Sequence, residues 1–277
     1  MNSIKVLLRS PRFLFGFFAI LLVVFFAVYV PIQNTQKPTR MVAKKYQPPS
    51  SELVLGSDNF GRDMFLELAH GTRTSLKVGV LSGLTATFIG LTFGLLAGFV
   101  GRAVDNSLTM VTNMFIVVPS FVVLILISVS ISSLTTSTTA LIIGITSWPW
   151  TARAVRAQTI SLRTRDHVNM ARISCKNLSQ IILRDILPYI ASYVVMAFIL
   201  QVASGILAEA SISMLGLGDR NTISLGTLMN WAMQFEAPAR GYWWAFIPTA
   251  FTISLTTFSL YMMNSGMDEV FNPKIRS

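Results

Sequence analysis

Apolar and charged positions in this chain segregate into blocks far longer than the periods of an amphipathic helix or a half-buried strand. Five stretches contain no Lys, Arg, Asp or Glu: 13–36 (24 residues), 78–101 (24), 106–152 (47), 186–208 (23) and 241–267 (27). A bilayer core takes about 20 apolar residues of helix, rising about 1.5 Å each. Four stretches therefore hold one crossing each and the longest holds two. This predicts an all-α, polytopic membrane protein with six transmembrane helices, near 13–32, 78–99, 108–131, 138–152, 188–208 and 246–264. Trp148, Pro149 and Trp150 blur the limits of the fourth. The alternation of a membrane β-barrel strand is missing from these continuously apolar runs.

The first run exceeds the roughly 7 to 15 apolar residues of a secretory signal. It ends in Tyr29, Val30 and Pro31, with no small-residue cleavage site, so a retained anchor is expected over a cleaved leader. An even number of spans puts both termini on one side. With that side cytoplasmic, 13 Lys and Arg lie inside and 9 outside, the direction that basic loops favour. The expected organisation is a cytoplasmic N-terminus (1–12), an anchor helix (13–32), an extracytoplasmic connector (33–77), a core bundle (78–264) and a cytoplasmic tail (265–277). The bundle includes a cytoplasmic segment at 153–187 and an extracytoplasmic loop at 209–244, where Trp231, Trp243 and Trp244 suit interfacial anchoring. Residues 33–50, with Pro38, Pro48 and Pro49, read as exposed linker.

Only 34 of 277 residues are charged, or 12%, against about 25% in soluble domains, which excludes a soluble enzyme. A net charge of +10 and a pI near 10.2 would suit nucleic acid. Half of that excess, however, lies in 153–185 between two spans, so membrane lipid and a protein partner are expected and nucleic acid is not. The single cysteine, Cys175, excludes an intrachain disulfide. The six spans carry no Asp, Glu or His, and His70 and His167 fall in connecting segments, which argues against a proton-coupled carrier. No His-Glu-x-x-His metalloprotease pattern and no Gly-x-x-x-x-Gly-Lys-[Ser/Thr] phosphate loop occurs. No catalytic residue, metal site or cofactor is expected in this chain, and uphill transport would draw its energy from another polypeptide.

The segment 153–187 is the longest cytoplasmic one. Leu178, Ile181, Ile182 and Ile186 recur at helical spacing, and Arg172 and Lys176, four apart, suit one helix face. Asn177 or Ser179 suits the cap of a new helix that Pro188 interrupts. The pattern is two short helices joined by a turn, serving either as an interfacial pair whose arginines meet anionic lipid or as a docking element for a cytoplasmic partner. Within the spans, the polar residues Ser128, Ser130, Gln201, Ser204, Thr252 and Thr256 are candidates for a translocation pathway. Most intramembrane hydroxyls bond to their own helix carbonyls. Gln201 is the strongest candidate, because its amide is costly to leave facing lipid.

Three stretches resemble one known family, the inner-membrane permease subunits of binding-protein-dependent ABC importers of the dipeptide, oligopeptide and nickel group. They match its second permease type, which has an N-terminal anchor helix. Leu55-Gly56-Ser57-Asp58-Asn59-Phe60-Gly61-Arg62-Asp63, followed by Gly71-Thr72-Arg73-Thr74-Ser75-Leu76, is similar to the signature leading into the second span. Ala152-Arg153-Ala154-Val155-Arg156 through Leu187-Pro188 resembles the cytoplasmic coupling loop. Ile206 to Gly218, which includes Glu209, Gly216 and Gly218, resembles the segment after the fifth span, and Asn272-Pro273-Lys274 the C-terminal ending.

The resemblance implies a type I ABC importer permease fold. It also implies a pathway shared with a second homologous permease subunit, cytoplasmic ATP-binding subunits that use ATP and Mg, and an extracytoplasmic solute-binding protein facing 209–244. The location implied is the cytoplasmic (inner) membrane of a bacterium or archaeon. Peptides are the commonest cargo of the group, with oligosaccharides and nickel chelates as alternatives. From a different class, a channel-like or structural subunit would need no ATPase. In this reading the coupling contact is carried by Asn169, Met170, Ala171, Arg172, Cys175, Lys176 and Asn177. One departure stands out: the family's Glu-Ala-Ala-x-x-x-Gly appears here with Asn169, Met170, Ala171 and Cys175. A residue with a Cβ costs about 1–2 kcal/mol in a left-handed turn, so either this turn is strained or its geometry differs.

Overall fold

Ser10 accepts the N–H of Phe13 at 3.4 Å and Pro11 takes the first helical position, starting α1 (Pro11–Gln33). The computed structural model describes residue 7, residues 9–131 and residues 134–271; the Asn272-Pro273-Lys274 motif lies outside them. α1 is followed by α2 (Met64–Val100), α3 (Arg102–Val117), α4 (Ser120–Ser130), α5 (Thr136–Arg163), α6 (Asp166–Ile173), α7 (Leu178–Met214), α8 (Leu225–Gln234) and α9 (Ile247–Phe271). Among the described residues there are isolated backbone bridges and no strands.

α1, α2, α7 and the run Trp243–Phe271 that contains α9 are long and apolar enough to cross a bilayer, giving four candidate spans. The expected continuous span at 108–131 is instead two helices, α3 and α4, bent by 78°. Pro119 explains the break: it has no N–H, and its ring drives Val118 into extended backbone (φ −84°, ψ 124°). Counted as one, this pair makes five candidate spans. The stretch 138–152 lies in α5, which has 28 residues but is not among the helices apolar enough to count. Its polar side chains explain this, since Thr139, Thr146, Thr151 and Thr159 are buried. Three of these hydroxyls bond back along their own helix: Thr146 to Ile142, and Thr139 and Thr159 to the carbonyls four residues earlier.

α2 is the central helix, packed against α5 and α7. Gly90, Gly94 and Gly98 recur every four residues and put one side of α2 directly against Thr151, Ala152 with Val155, and Thr159 of α5. A Cβ at Gly94 would stand 2.7 Å from the carbonyl oxygen of Ala152. This is the small-residue spacing that lets membrane helices approach closely.

Two expectations about helix ends change. Pro188 does not interrupt α7: Ile181–Ile186 widens into a π-helical turn, with the N–H of Leu187 bonded to the Ile182 carbonyl. That turn makes room for the proline ring. Helices also run beyond the charge-free stretches, so Glu67 and His70 lie in α2 and Glu209 in α7, and His167 lies in α6. The residues read as exposed linker are largely exposed and are also pinned to the following signature. The Val42 N–H bonds to the Gly61 carbonyl (2.8 Å), Tyr46 to Asp58 (3.0 Å) and Ser57 to Gln47 (2.9 Å).

Candidate functional site

At one end of the bundle, α6 and the start of α7 form the two short helical pieces expected from the sequence. Their junction closes as α6 ends: the N–H of Lys176 reaches the Ala171 carbonyl (3.3 Å) and that of Cys175 reaches Arg172 (3.0 Å). This double bond pattern is a Schellman cap, in which the residue carrying the N–H bonded three back is left-handed. Cys175 has φ +53°. The turn that suits glycine is therefore present, with a cysteine in it. Asn177 caps the next helix in a reciprocal pair with Gln180, at 2.9 and 3.2 Å.

The seven expected coupling residues divide into two sets. Ala171 is 4% exposed and joins Leu95, Phe99, Val155, Val168, Ile181, Ile182 and Ile186 in an apolar cluster that holds this end to α2 and α5. Ala171 therefore faces the bundle and cannot present a contact outward. Arg172 and Lys176 do not share a helix face, because α6 ends at Ile173. Arg172 lies over the Phe99 ring at 5.2 Å, and Lys176 Nζ bonds both carboxylate oxygens of Asp185 at 2.9 Å. Asn169 and Cys175 are exposed, as is Met170 (63%). Ile173 (76%), Leu178 (44%) and Leu183 (60%) join Met170 as exposed apolar residues of this end. The sequence reading missed Ile173 and Leu183. Their signal was an apolar residue on the polar side of an otherwise basic segment.

The α3–α4 elbow, α5, α7 and α9 line an open cavity of about 650 Å³, whose polar lining includes Ser120, Thr146, Ser147, Arg153, Gln201, Ser204 and Tyr261. Gln201 is held in place: its amide nitrogen donates to the Ser147 carbonyl (3.0 Å) and to Thr151 Oγ1 (2.8 Å), in the turn that contains Pro149. Ser204 is exposed beside it. Two of the expected pathway residues thus converge here, and the other four do not. Ser128 is buried and lines a different cavity, with Gly216 and Gly218. Ser130, Thr252 and Thr256 bond back to Leu126, Pro248 and Thr252 of their own helices.

At the opposite end, Gly61 (φ +78°), Arg62 and Asp63 form the turn into α2. Asp63 caps it by accepting the Phe65 N–H at 2.9 Å. Arg62 packs over Phe60 and Trp231 and pairs with the fully buried Glu67 at 3.2 Å. Asp58 accepts the N–H groups of Phe60 (2.8 Å) and Arg62 (2.7 Å), yet burial holds its carboxyl above the ordinary carboxylate value. Glu209 corrects an expectation. It is 3% exposed and accepts hydrogen bonds from Ser75 and Ser213, each at 2.7 Å, so it ties helices together and does not face outward. Gly216 (φ +77°) closes α7 with a second Schellman cap, Leu217 to Ile212 at 3.1 Å and Gly216 to Ser213 at 3.0 Å. At Gly218 the need is space, since a Cβ would meet Ser213. Trp244 is not a membrane anchor either: it is 9% exposed, with its indole N–H on the Ser57 carbonyl at 3.3 Å.

Residues 90–277 match the family model described as "Binding-protein-dependent transport system inner membrane component". The dipeptide transport system permease protein DppC of Bacillus subtilis is 28% identical over 263 residues, 94% of this chain and 81% of that protein. The oligopeptide transport system permease protein OppC of Mycobacterium tuberculosis is 30% identical over 233 residues, 83% of this chain and 79% of its own length. DppC of Alkalihalophilus pseudofirmus is 27% identical over 278 residues, spanning 100% of this chain and 90% of the relative.

Proposed function

The chain belongs to the family of binding-protein-dependent transport system inner membrane components, and from that membership we propose that it passes peptides through the cavity held open at Gln201. It is a permease subunit of an ABC importer, a transporter component and not an enzyme. The observation that carries the pathway reading is the polar side of that cavity's lining: hydroxyls and an amide on α4, α5, α7 and α9, with Arg153 beside them, offer donors and acceptors for a peptide backbone without an Asp or Glu among them. Relatives whose names specify dipeptide and oligopeptide transport support the cargo class.

In this reading six segments cross the membrane: α1, α2, the bent pair α3–α4, α5, α7 and α9. α5 qualifies because its hydroxyls face protein, not lipid. The end with α6 is cytoplasmic, as are both termini, which the 13 to 9 distribution of basic residues supports. There Met170, Ile173, Leu178 and Leu183 meet an ATP-binding subunit, which consumes ATP with Mg. A second homologous permease completes the pathway, and a solute-binding protein meets the end formed by residues 38–63 and α8.

Cys175, exposed and the single cysteine, tests orientation directly. A membrane-impermeant maleimide labels it in inside-out vesicles and spares it in intact cells or spheroplasts; the reverse pattern rejects the topology. For function, proteoliposomes containing both permeases and the ATPases, given peptide-loaded binding protein, accumulate peptide only with ATP. Accumulation without ATP would favour a channel-like subunit.

A further inference from the structure

Arg153 is the one cationic residue lining the Gln201 cavity. A guanidinium has five N–H donors, and Arg153 uses one, from Nη2 to Asn113 Oδ1 at 3.1 Å. Among the described residues it has no ion pair. Arg156, one helical turn on, differs sharply: it is held by Asp105 through two hydrogen bonds, one of them 2.8 Å. So two arginines of similar sequence setting have different states: Arg156 is half-buried and neutralised by Asp105, whereas Arg153 is exposed, reaches Asn113 and lines a cavity without a carboxylate. Ser120, Thr146, Ser147 and Gln201 offer no negative charge to satisfy it.

We propose that Arg153 binds the C-terminal carboxylate of the cargo peptide as it leaves toward the cytoplasm. This rests on the peptide reading above and adds to it the end of the peptide that is recognised. A planar fork suits a carboxylate in two parallel, charge-assisted hydrogen bonds. Arg153 follows the buried turn Thr151–Ala152 near the end of the crossing assigned to α5, so it meets cargo after Gln201 on the way in. The Asn113 bond fixes the guanidinium orientation without neutralising it. Because the contact is single and solvent-accessible, it holds the peptide briefly and still releases it.

The test uses the complete importer in proteoliposomes with trialanine and trialanine amide, each loaded on the binding protein and loading verified by mass spectrometry before uptake is timed. Wild type moves trialanine faster than the amide. Arg153→Gln lowers trialanine uptake by roughly tenfold or more, as expected for loss of a charge-assisted pair, and leaves amide uptake near its wild-type rate. Arg153→Lys is intermediate, since it keeps charge and loses the fork. Equal loss for both peptides in Arg153→Gln overturns the assignment and leaves the peptide reading standing. An Arg153→Gln effect that disappears in vesicles of purely zwitterionic lipid also overturns it, because the arginine then serves anionic headgroups. If wild type imports neither loaded peptide, the peptide reading itself fails.

Discussion

Ser75 on α2 donates to Glu209 on α7 at 2.7 Å, and the same Ser75 oxygen accepts the N–H of Leu225, the first residue of α8, at 3.1 Å. One hydroxyl thus joins three helices at the end of the bundle opposite α6. Removing the carboxylate leaves the hydroxyls of Ser75 and Ser213 without acceptors in a buried place, at about 1–3 kcal/mol per unsatisfied group. Glu209→Leu lowers the thermal unfolding midpoint of the purified chain in detergent clearly more than Glu209→Gln, which retains an acceptor oxygen. Equal midpoints for the two variants would reject this joining role.

A Cβ placed on Gly94 meets backbone and Val155 side-chain atoms that have no room to retreat. Gly94→Val therefore costs about 1–3 kcal/mol through overpacking. The measurable result is reduced stability and lower yield of the assembled complex, while a β-branched residue at Phe88 (71% exposed) leaves both unchanged.

The end formed by α6 and the start of α7 has an outward set and an inward set. Met170→Asp with Ile173→Asp, both on exposed positions, reduces co-purification of the ATP-binding subunit and leaves the unfolding free energy of the permease within about 0.5 kcal/mol of wild type. Ala171→Arg does the opposite first: it drives a charge into the apolar cluster around Val168 and Ile186 and destabilises the fold. Identical behaviour of the two variants in both assays would remove the distinction.

Cys175 occupies a left-handed cap position in which glycine carries no Cβ penalty. Relief of the Cβ clash is worth about 1–2 kcal/mol and the chain entropy lost by a glycine offsets about 0.5–1 kcal/mol of it, so Cys175→Gly stabilises the turn, read as slower amide exchange at Cys175 and Lys176, whose N–H groups bond Arg172 and Ala171. Faster exchange would show that the Cys175 side chain contributes something the glycine lacks.

Four of the six expected spans fall on helices long and apolar enough to cross a bilayer, legible because exclusion of charge from a bilayer acts on every residue of a run. The stretch 108–131 is broken at Pro119, and 138–152 lies in a helix too polar to count. Helix ends were less legible, since Glu67 and Glu209 look like loop residues until Arg62 and the serines that satisfy them are folded against them. The capped turn at Asn177 was readable locally, whereas continuation of α7 past Pro188 required the π-helical turn, which has no composition of its own. Gln201 and Ser204 line one cavity. Ser128 and Thr252 do not, because which face of a uniformly apolar helix turns inward is decided by its neighbours. The four-residue recurrence of Gly90, Gly94 and Gly98 was present in the sequence and is the best local predictor of the α2–α5 contact.

That contact sets where the molecule can move. Two helices seated glycine against side chain at three successive turns cannot slide past one another without lifting apart, so α2 and α5 behave as a single beam. At about 1.5 Å per residue, the 28 residues of α5 carry a displacement over about 40 Å with little loss. Bending is then left to the places where the helical ladder is already interrupted, the elbow at Val118–Pro119 and the widened turn at Ile181–Ile186. Between the beam and the elbow lies the Gln201 cavity, lined by α5 of the former and by residues of the latter.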